Sequence, residues 1–292
     1  MISEPGVYNV SFDDYLADPV CEPSLSRSMI PLLLDAPIKA WWSHPKLNPD
    51  YKKKTKDESK FDPGSACHDL LFEGGKNTFE ITGFNDWKKD AAKEAREAAR
   101  SIGKIPLLTK QFDIASAMAE AARTQIRECE ELGINNLISE GDMELTYVWQ
   151  EKNEIWCRIR PDWTRKDKKL MIDYKTSGTN INPDEFGAHM GRMNYPIQSV
   201  FYRRGVKAID KTDADFVFVA QEDEPPYLCS FHGIDIMAEE MAGQKVEWAI
   251  KKWHECLTTG RWAGYPKRIC YQEPKPWDLA EWQVKKSYME AL

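Results

Sequence analysis

The sequence predicts an α/β fold, and two observations support this class. Apolar residues recur at helical spacing in some segments and alternate with polar residues in others. Along the chain the predicted order is helices, three antiparallel-looking strands, helices, two strands and a long helix, which is typical of an α/β domain with a flanking helical layer. The hydrophobic content of 42% and the charged content of 30% are those of a soluble globular protein.

The N-terminal part of the chain is predicted to combine turns with short helices. Ser26 or Ser28 is placed to cap a helix whose apolar side begins at Met29. The lysine-rich residues 51–56 predict an exposed loop. The following "DPGSACHDLLFEGG" opens with Pro-Gly, closes with Gly-Gly and predicts a short helix with His68 in its first half.

Two longer helices are predicted before the spacing of apolar residues changes from helical to alternating. Residues 86–101 are rich in alanine, lysine and glutamate, and residues 109–132 carry apolar side chains at helical spacing. After them, "MELTYVWQ" and "EIWCRIRPDW" alternate around "EKN" and predict a hairpin, and "KLMIDYKTS" predicts a third strand.

The remaining predicted elements are two helices, two strands and a long helix, in this order: residues 183–192, residues 194–209, "DADFVFVAQ", "PYLCSFHGI" and residues 237–257. Beyond them, Trp262, Trp277 and Trp282 predict that the end of the chain packs back onto the body. We expect one domain over residues 1–292, with residues 1–60 packed on a core of about residues 61–260.

Cysteine usage and charge restrict the class of protein further. Seven scattered cysteines form no C-x-x-C pair, which predicts reduced, mostly buried thiols. The first residues show no signal-peptide pattern and no apolar run approaches bilayer length, so we expect a cytoplasmic protein without a membrane partner. The net charge of −7 argues against a protein that coats nucleic acid, but a local basic groove is enough for an enzyme that acts on DNA.

One strand bound for the core carries an acid and a base two positions apart. Because alternate side chains of a strand point to opposite faces, Asp173 and Lys175 lie on one face of "LMIDYK". If the preceding strand pairs with this one as a hairpin, Asp162 converges with Asp173. Two carboxylates beside a lysine suit a Mg²⁺ ion that activates water against a phosphate. The alternative is a half-buried salt bridge between Asp173 and Lys175.

Three further residues fit the same chemistry. His68 offers an imidazole nitrogen as a metal ligand. Gln198 and Tyr202 stand four positions apart, hence on one helix face, where they can contact the lysine or a phosphate. Each residue alone is equally compatible with a packing role, so their joint order carries the prediction.

That joint order resembles the PD-(D/E)XK nuclease superfamily in its RecB-like branch and, within it, the nuclease domains of the RecE (exonuclease VIII) type found in phages and prophages. The matching residues are Gly64 and His68 in G-x-x-x-H, Asp162 in P-D, Asp173 and Lys175 in D-x-K, and Gln198 and Tyr202 in Q-x-x-x-Y. The likeness covers nearly the whole chain and is weakest at residues 76–110 and at the C-terminal end.

The resemblance implies a restriction-endonuclease-like core with a mixed central β-sheet flanked by helices. It implies a Mg²⁺-dependent exonuclease, with Mn²⁺ as a substitute, that degrades linear duplex DNA from the 5′ end and leaves 3′ single strands for recombination by annealing. The implied partners are double-stranded DNA ends, a single-strand annealing protein and further copies of the chain in a ring. The implied metal ligands are His68, Asp162 and Asp173. Lys175 is implied to act on the attacking water. Gln198 and Tyr202 are implied to support the site.

Other assignments stay open at this point. Glu73 and Glu144 are further acidic candidates for the site. A structure-specific or restriction-type endonuclease, or a catalytically inactive DNA-binding or assembly protein, would show a similar pattern; the lack of a separate recognition module favours the exonuclease. In "SLSRSMI", Arg27 with Ser26 and Ser28 is a candidate for binding the terminal 5′-phosphate near a helix N-terminus. The alternative is a serine cap beside a solvated arginine.

Overall fold

The computed structural model describes residues 1–52, 63–73, 79–102, 104–152, 154–178 and 180–291. Most of the lysine-rich loop predicted at 51–56 and the side chain of Glu73 lie outside this description. The helices are α1 (Phe12–Leu16), α2 (Met29–Asp35), α3 (Pro37–Ser43), α4 (Pro63–His68), α5 (Asp90–Ser101), α6 (Thr109–Glu128), α7 (Leu137–Glu140), α8 (Pro183–Arg192), α9 (Tyr195–Asp210), α10 (Ile236–Thr259) and α11 (Pro276–Glu290). The strands are β1 (Gly6–Tyr8), β2 (Leu25–Ser26), β3 (Phe79–Ile81), β4 (Ile105–Leu107), β5 (Gly141–Met143), β6 (Thr146–Gln150), β7 (Trp156–Ile159), β8 (Trp163–Arg165), β9 (Leu170–Ser177), β10 (Asp215–Glu222) and β11 (Cys229–His232).

Two mixed sheets form the body of the molecule. The first has the order β1-β6-β7-β2, and the second has the order β11-β10-β9-β8-β5. In the second sheet β9 and β10 are parallel, because α8 and α9 form the crossover between them, and the other pairs are antiparallel. A small parallel pair, β3 with β4, stands apart. The α/β class with mixed sheets flanked by helices is therefore confirmed.

Each of the two strands predicted around "EKN" is in fact divided between the two sheets. "MELTYVWQ" breaks at Glu144, whose φ of 52° is left-handed and ends β5 before β6 begins. "EIWCRIRPDW" breaks after β7 at Pro161, which has no N–H for a ladder. The two breaks lie side by side, since the Glu144 amide donates to the Asp162 carbonyl oxygen at 3.1 Å.

Both faces of β9 are buried, and its side chains alternate as predicted. Met171 lies in the larger core cluster with residues of α9 and α10, whereas Leu170, Ile172 and Tyr174 lie in a second cluster with α6. Because β9 is covered on both sides, any polar side chain on it must be satisfied by the protein or by a ligand.

The N-terminal segment is attached by strand pairing and by a buried polar network. β1 pairs with β6, and β2 pairs with β7. The Asp18 carboxylate accepts from the Ser24 amide at 2.8 Å and lies 3.1 Å from Arg158 Nη1 and 3.2 Å from His44 Nε2. All four side chains are buried. The division into residues 1–60 and a core of 61–260 stays a prediction.

Several local predictions are corrected. Ser28 stands at the N-cap of α2 but its side chain caps no N–H; it contacts the hydroxyl of Ser26, which belongs to β2, at 3.1 Å. His68 ends α4 rather than lying in its first half, because a π-helical turn at Asp69–Glu73 continues the segment. The helices expected at 86–101 and 109–132 are shorter, α5 beginning at Asp90 and α6 ending at Glu128.

The cysteines are free, as expected, but fewer are buried. The buried ones are Cys67, Cys157 and Cys256, and the two exposed ones are Cys21 and Cys270. In the described parts of the chain, no helix combines the length and the apolar character that a membrane span requires.

The prediction that the C-terminal end packs back onto the body holds at Trp262 and fails for α11. Trp262 does pack against Trp253, with ring centres 5.4 Å apart. Trp277 and Trp282 are 63% and 55% exposed, and α11 contains no buried residue. The apolar side chains of α11 point to two opposite sides, so the sequence pattern gives no single face to lay on the core.

Candidate functional site

The candidate site lies where the chain passes between the two sheets. Asp162 sits between β7 and β8, and its Oδ2 accepts a hydrogen bond of 2.8 Å from the Tyr174 amide in β9. This bond holds the Asp162 carboxylate beside the end of β9, where Asp173 and Lys175 are found. The predicted convergence of Asp162 and Asp173 through a β8–β9 hairpin is therefore what the structure shows.

Asp173 is held between a cation and an amide. Its side chain is 2% exposed, the Lys175 ammonium contacts Oδ2, and the Gln198 amide donates to Oδ1 from α9. Among the described residues, no donor reaches Oδ2 with regular hydrogen-bond geometry. The Lys175 ammonium also lies 5.7 Å from the ring centre of Tyr195. Thus Gln198 meets the predicted acid–base pair through Asp173, and Tyr195 is a neighbour that the sequence motifs did not indicate.

His68 reaches this junction because α4 packs very closely on β9. A Cβ atom on Gly64 would lie 2.1 Å from Thr176 Oγ1, so only glycine allows this approach. One turn later, Cys67 Sγ contacts the Tyr174 hydroxyl at 3.0 Å. These contacts place His68 Nε2 at 3.4 Å from Asp162 Oδ1. Gly64 of G-x-x-x-H therefore allows the close packing of α4 that brings His68 of the same motif to Asp162.

Glu144 joins His68 and Asp162 in a cluster with the chemistry of a metal site. One ligand atom from each of the three residues lies within 4.8 Å of the others. His68 Nδ1 is 3.5 Å from Glu144 Oε1. One imidazole nitrogen and several carboxylate oxygens suit a divalent cation such as Mg²⁺ or Mn²⁺. Asp173 is not one of the three, and its nearest partners are Lys175 and Gln198.

Arg160 was not predicted for the site and contacts it directly. Its Nε donates to Glu144 Oε2 at 3.1 Å, and its Nη1 donates to the Val10 carbonyl oxygen at 2.6 Å. Arg160 thus links the acidic cluster to the N-terminal segment. The only signal in the sequence was its place immediately before Pro161-Asp162, where the strand breaks.

Burial and charge together set the pKa values of the central groups. Burial, assisted by the charge of Asp162, raises the pKa of Asp173 to about 6 despite the Lys175 ammonium. Burial also acts to raise the pKa of Asp162, but His68, Lys175 and the Tyr174 amide outweigh it and hold that pKa below its ordinary value. For His68, burial is outweighed by Asp162, Glu144 and Asp69, which raise its pKa to about 9. Two adjacent carboxylates with opposed pKa shifts mark the junction as a candidate active site.

The remaining predicted residues lie around this centre at different distances. Tyr202 is buried on α9, edge-on to the Phe216 ring at 5.7 Å, and burial raises the pKa of its hydroxyl. No described hydrogen bond joins it to Asp173 or Lys175. Arg27 Nη2 donates to the Met193 carbonyl oxygen at 2.8 Å, and its charge acts to lower the pKa of Asp173, so it lies near the acidic centre. Ser26 and Ser28 contact each other beside it.

Comparisons with known proteins agree with this geometry. The sequence profile of a family described as "PDDEXK-like domain of unknown function (DUF3799)" matches residues 42–273. A solved structure described as a "putative exonuclease" from Eubacterium rectale has the same fold, with a TM-score of 0.55 at 14% identity. That alignment covers 94% of this chain and 98% of the other. No curated protein matches the chain.

Proposed function

The chain belongs to this PDDEXK-like family, and on that premise we propose that it is a Mg²⁺-dependent exonuclease of linear double-stranded DNA. The observation that supports the proposal most is the meeting of His68, Asp162, Asp173 and Lys175 at one junction between two sheets. A lone D-x-K pair is often structural. Here the same junction also holds a histidine and a second carboxylate, which a simple salt bridge does not require.

Each residue has a role that its contacts support. His68, Asp162 and Glu144, with Asp173 beside them, offer the ligand atoms for the cation. When bound, such a cation polarises the phosphate and lowers the pKa of a coordinated water. The Lys175 ammonium would orient the attacking water and stabilise charge on the phosphate oxygens, while the Gln198 amide fixes the Asp173 carboxylate through Oδ1. Tyr202 supports the packing of α9 at the site.

The direction of digestion and the partners belong to the same proposal. The resemblance to RecE-type domains favours digestion from the 5′ end, with the remaining 3′ strand used for annealing by a single-strand annealing protein. Arg27, with Ser26 and Ser28, is the candidate contact for the terminal 5′-phosphate, since its charge lies near Asp173. Mn²⁺ is expected to replace Mg²⁺. The resemblance also favours a ring-shaped oligomer and a phage or prophage origin. The composition favours a cytoplasmic location.

A restriction-type or structure-specific endonuclease of the same superfamily is the main alternative, and DNA topology separates the two. We expect end-labelled linear duplex to be degraded in Mg²⁺ and a covalently closed circle of the same sequence to stay intact. Degradation is expected to stop with EDTA and to fall at least about 100-fold in Asp173→Asn, which keeps the side-chain volume and removes the charge. Asp167→Asn, on the exposed turn of the same hairpin, is the control.

The outcomes are distinct. Nicking or linearisation of the closed circle would replace the exonuclease by an endonuclease. DNA binding without hydrolysis of either substrate would favour the inactive DNA-binding protein. Activity of Asp173→Asn within about tenfold of the parent would remove the assignment of the site, whatever the substrate.

A further inference from the structure

Tyr195 begins α9 beside the acid–base pair of the candidate site. Its side chain is 6% exposed. Gln198, one turn further along α9, donates to Asp173 Oδ1, so the same face of the helix turns Tyr195 toward the site. The Lys175 ammonium lies 5.7 Å from the centre of the Tyr195 ring. Tyr195 is therefore a neighbour of residues that the proposed function uses.

Other aromatic rings fix the ring of Tyr195 in this place. It stacks on Phe218, with ring centres 5.0 Å apart and an angle of 16° between the ring planes. Phe218 stands opposite Asp173 in the register of β10 with β9. The rings of His189 and Phe186, both on α8, have their centres 5.9 Å and 6.4 Å from it. A phenylalanine would make the same ring contacts, so packing does not account for the hydroxyl.

The hydroxyl of Tyr195 makes no hydrogen bond with any residue in the part of the chain that the structure describes. The neighbouring Asp173 carboxylate does not accept from it, because Gln198 donates to Oδ1 and the Lys175 ammonium contacts Oδ2. An unpaired donor in a largely buried side chain carries a desolvation cost that native structures normally avoid. The hydroxyl is therefore available to an acceptor that does not belong to the chain.

Two cations lie close to this hydroxyl. One is Lys175. The other is Arg27, whose Nη2 donates to the carbonyl oxygens of Met193 and Asn194, immediately before Tyr195, at 2.8 Å and 3.3 Å. Burial raises the pKa of the Tyr195 hydroxyl, and the charges of Lys175 and Arg27 act to lower it. The acceptor that suits a free donor between two cations is an anion, and a phosphodiester oxygen is both acceptor and anion.

We propose that the Tyr195 hydroxyl donates a hydrogen bond to a non-bridging oxygen of the scissile phosphate. The inference rests on the proposed function and adds to it a residue that contacts the reacting group. The acceptor is the scissile phosphate because the Tyr195 ring lies against Lys175, which acts on the attacking water. A fixed donor at oxygens on which charge develops lowers the reaction barrier more than it tightens the binding of substrate.

Tyr195→Phe tests the proposal, because it removes the hydroxyl and keeps the ring. With 5′-phosphorylated linear duplex in Mg²⁺, we expect kcat to fall at least about tenfold and KM to stay near that of the parent. The affinity for the same duplex in Ca²⁺ should also be unchanged. Tyr147→Phe, on β6, is the matched control, since this buried tyrosine also has a hydroxyl without a hydrogen bond in the described ranges. The control should cleave like the parent, and thermal unfolding checks that both variants are folded.

The chemistry of the DNA end separates this contact from one with the terminal phosphate. We expect Tyr195→Phe to slow release of the first nucleotide by the same factor from 5′-phosphorylated and from 5′-hydroxyl duplex. A loss confined to 5′-phosphorylated duplex would overturn the contact with the scissile phosphate and would place Tyr195 with Arg27 at the terminal phosphate.

Failure of the inference and failure of the proposed function give different results. If the parent degrades linear duplex and Tyr195→Phe degrades it equally fast, the inference is wrong and the proposed function stands. A higher KM with an unchanged kcat would also contradict the inference, since the hydroxyl would then contribute to binding alone. A parent that hydrolyses neither substrate would overturn the proposed function and the role of Tyr195 together.

Discussion

At the scale of single residues, a substitution of Lys175 distinguishes a catalytic role of this lysine from a structural one. Its ammonium contacts Asp173 and lies over Tyr195, and an ammonium group has no lone pair with which to bind a cation. Lys175→Gln is therefore expected to bind Mg²⁺ and DNA like the parent and to cleave DNA at least about 100-fold more slowly. Calorimetric titration with Ca²⁺ in the presence of DNA measures the binding. Loss of metal affinity, with cleavage falling in proportion, would make the lysine a structural residue. Lys207→Gln, at an exposed ion pair, is the control.

His68 predicts a pH-dependent stability of the metal-free protein. Its pKa in the folded state, about 9, lies above the ordinary value of 6.5 because Asp162, Glu144 and Asp69 outweigh the effect of burial. The stabilisation is therefore complete below pH 6.5 and is lost as the pH rises through 9. We expect the free energy of unfolding in EDTA to fall by about 3 kcal/mol across this range. Urea denaturation should show that His68→Gln removes the slope and that His254→Gln, on α10, keeps it.

Arg27 predicts a preference for the chemistry of the DNA end. If its guanidinium grips the terminal 5′-phosphate, Arg27→Ala should slow digestion of 5′-phosphorylated duplex about tenfold or more beyond its effect on 5′-hydroxyl duplex. The ratio of the two rates is the measurement, because loss of the Met193 contact would slow both substrates equally. Arg192→Ala, on the exposed end of α8, is the control. An equal effect on both ends would leave Arg27 as a general backbone contact.

At the scale of elements, the close packing of α4 on β9 decides where His68 stands. Gly64→Ala places a Cβ atom 2.1 Å from Thr176 Oγ1, so α4 must shift and carry His68 away from Asp162. We expect a loss of about 1–3 kcal/mol of stability and a weaker apparent affinity for Mg²⁺. Thr176→Ala in the same chain should recover part of both, since it removes the nearest atom. Gly187→Ala, at an open position of α8, should not lower the stability and is expected to raise it by about 0.5–1 kcal/mol. A Gly64→Ala variant at least as stable as the parent would contradict this account.

The helices and strands were predictable where the apolar residues kept one spacing throughout the segment. The helices α8, α9 and α10 and the strands β9 and β10 follow their apolar patterns closely, whereas β11 is shorter than the predicted strand. The two strand breaks at Glu144 and Pro161 were not predicted, because apolar alternation continues across both and does not show which sheet a strand joins. This is also why the sequence offers Glu144 only as a further candidate beside Asp162, although the two lie side by side.

At the scale of the whole molecule, the buried Asp18 network joins the N-terminal segment to the first sheet. Burial acts to raise the pKa of Asp18, but His44, Arg158 and Ser24 together hold it below its ordinary value. Asp18→Ala would leave Arg158 buried without its carboxylate, and we expect a loss of about 3–5 kcal/mol. Urea unfolding measures this loss, with the exposed Glu22→Ala as control. A change as small as that of the control would mean that strand pairing alone attaches the segment.

The sequence by itself determined the class of fold, most of the elements and some of the residues that meet at the candidate site. Period alone put Asp173 and Lys175 on one face of β9, and motif order singled out His68, Asp162 and Gln198. Only the tertiary structure decided that Glu144 and Arg160 join them and that no described part of the chain buries a residue of α11. Local sequence patterns show which face of an element is apolar. The meeting of two strand breaks and the exposure of α11 depend instead on contacts between residues far apart in the chain.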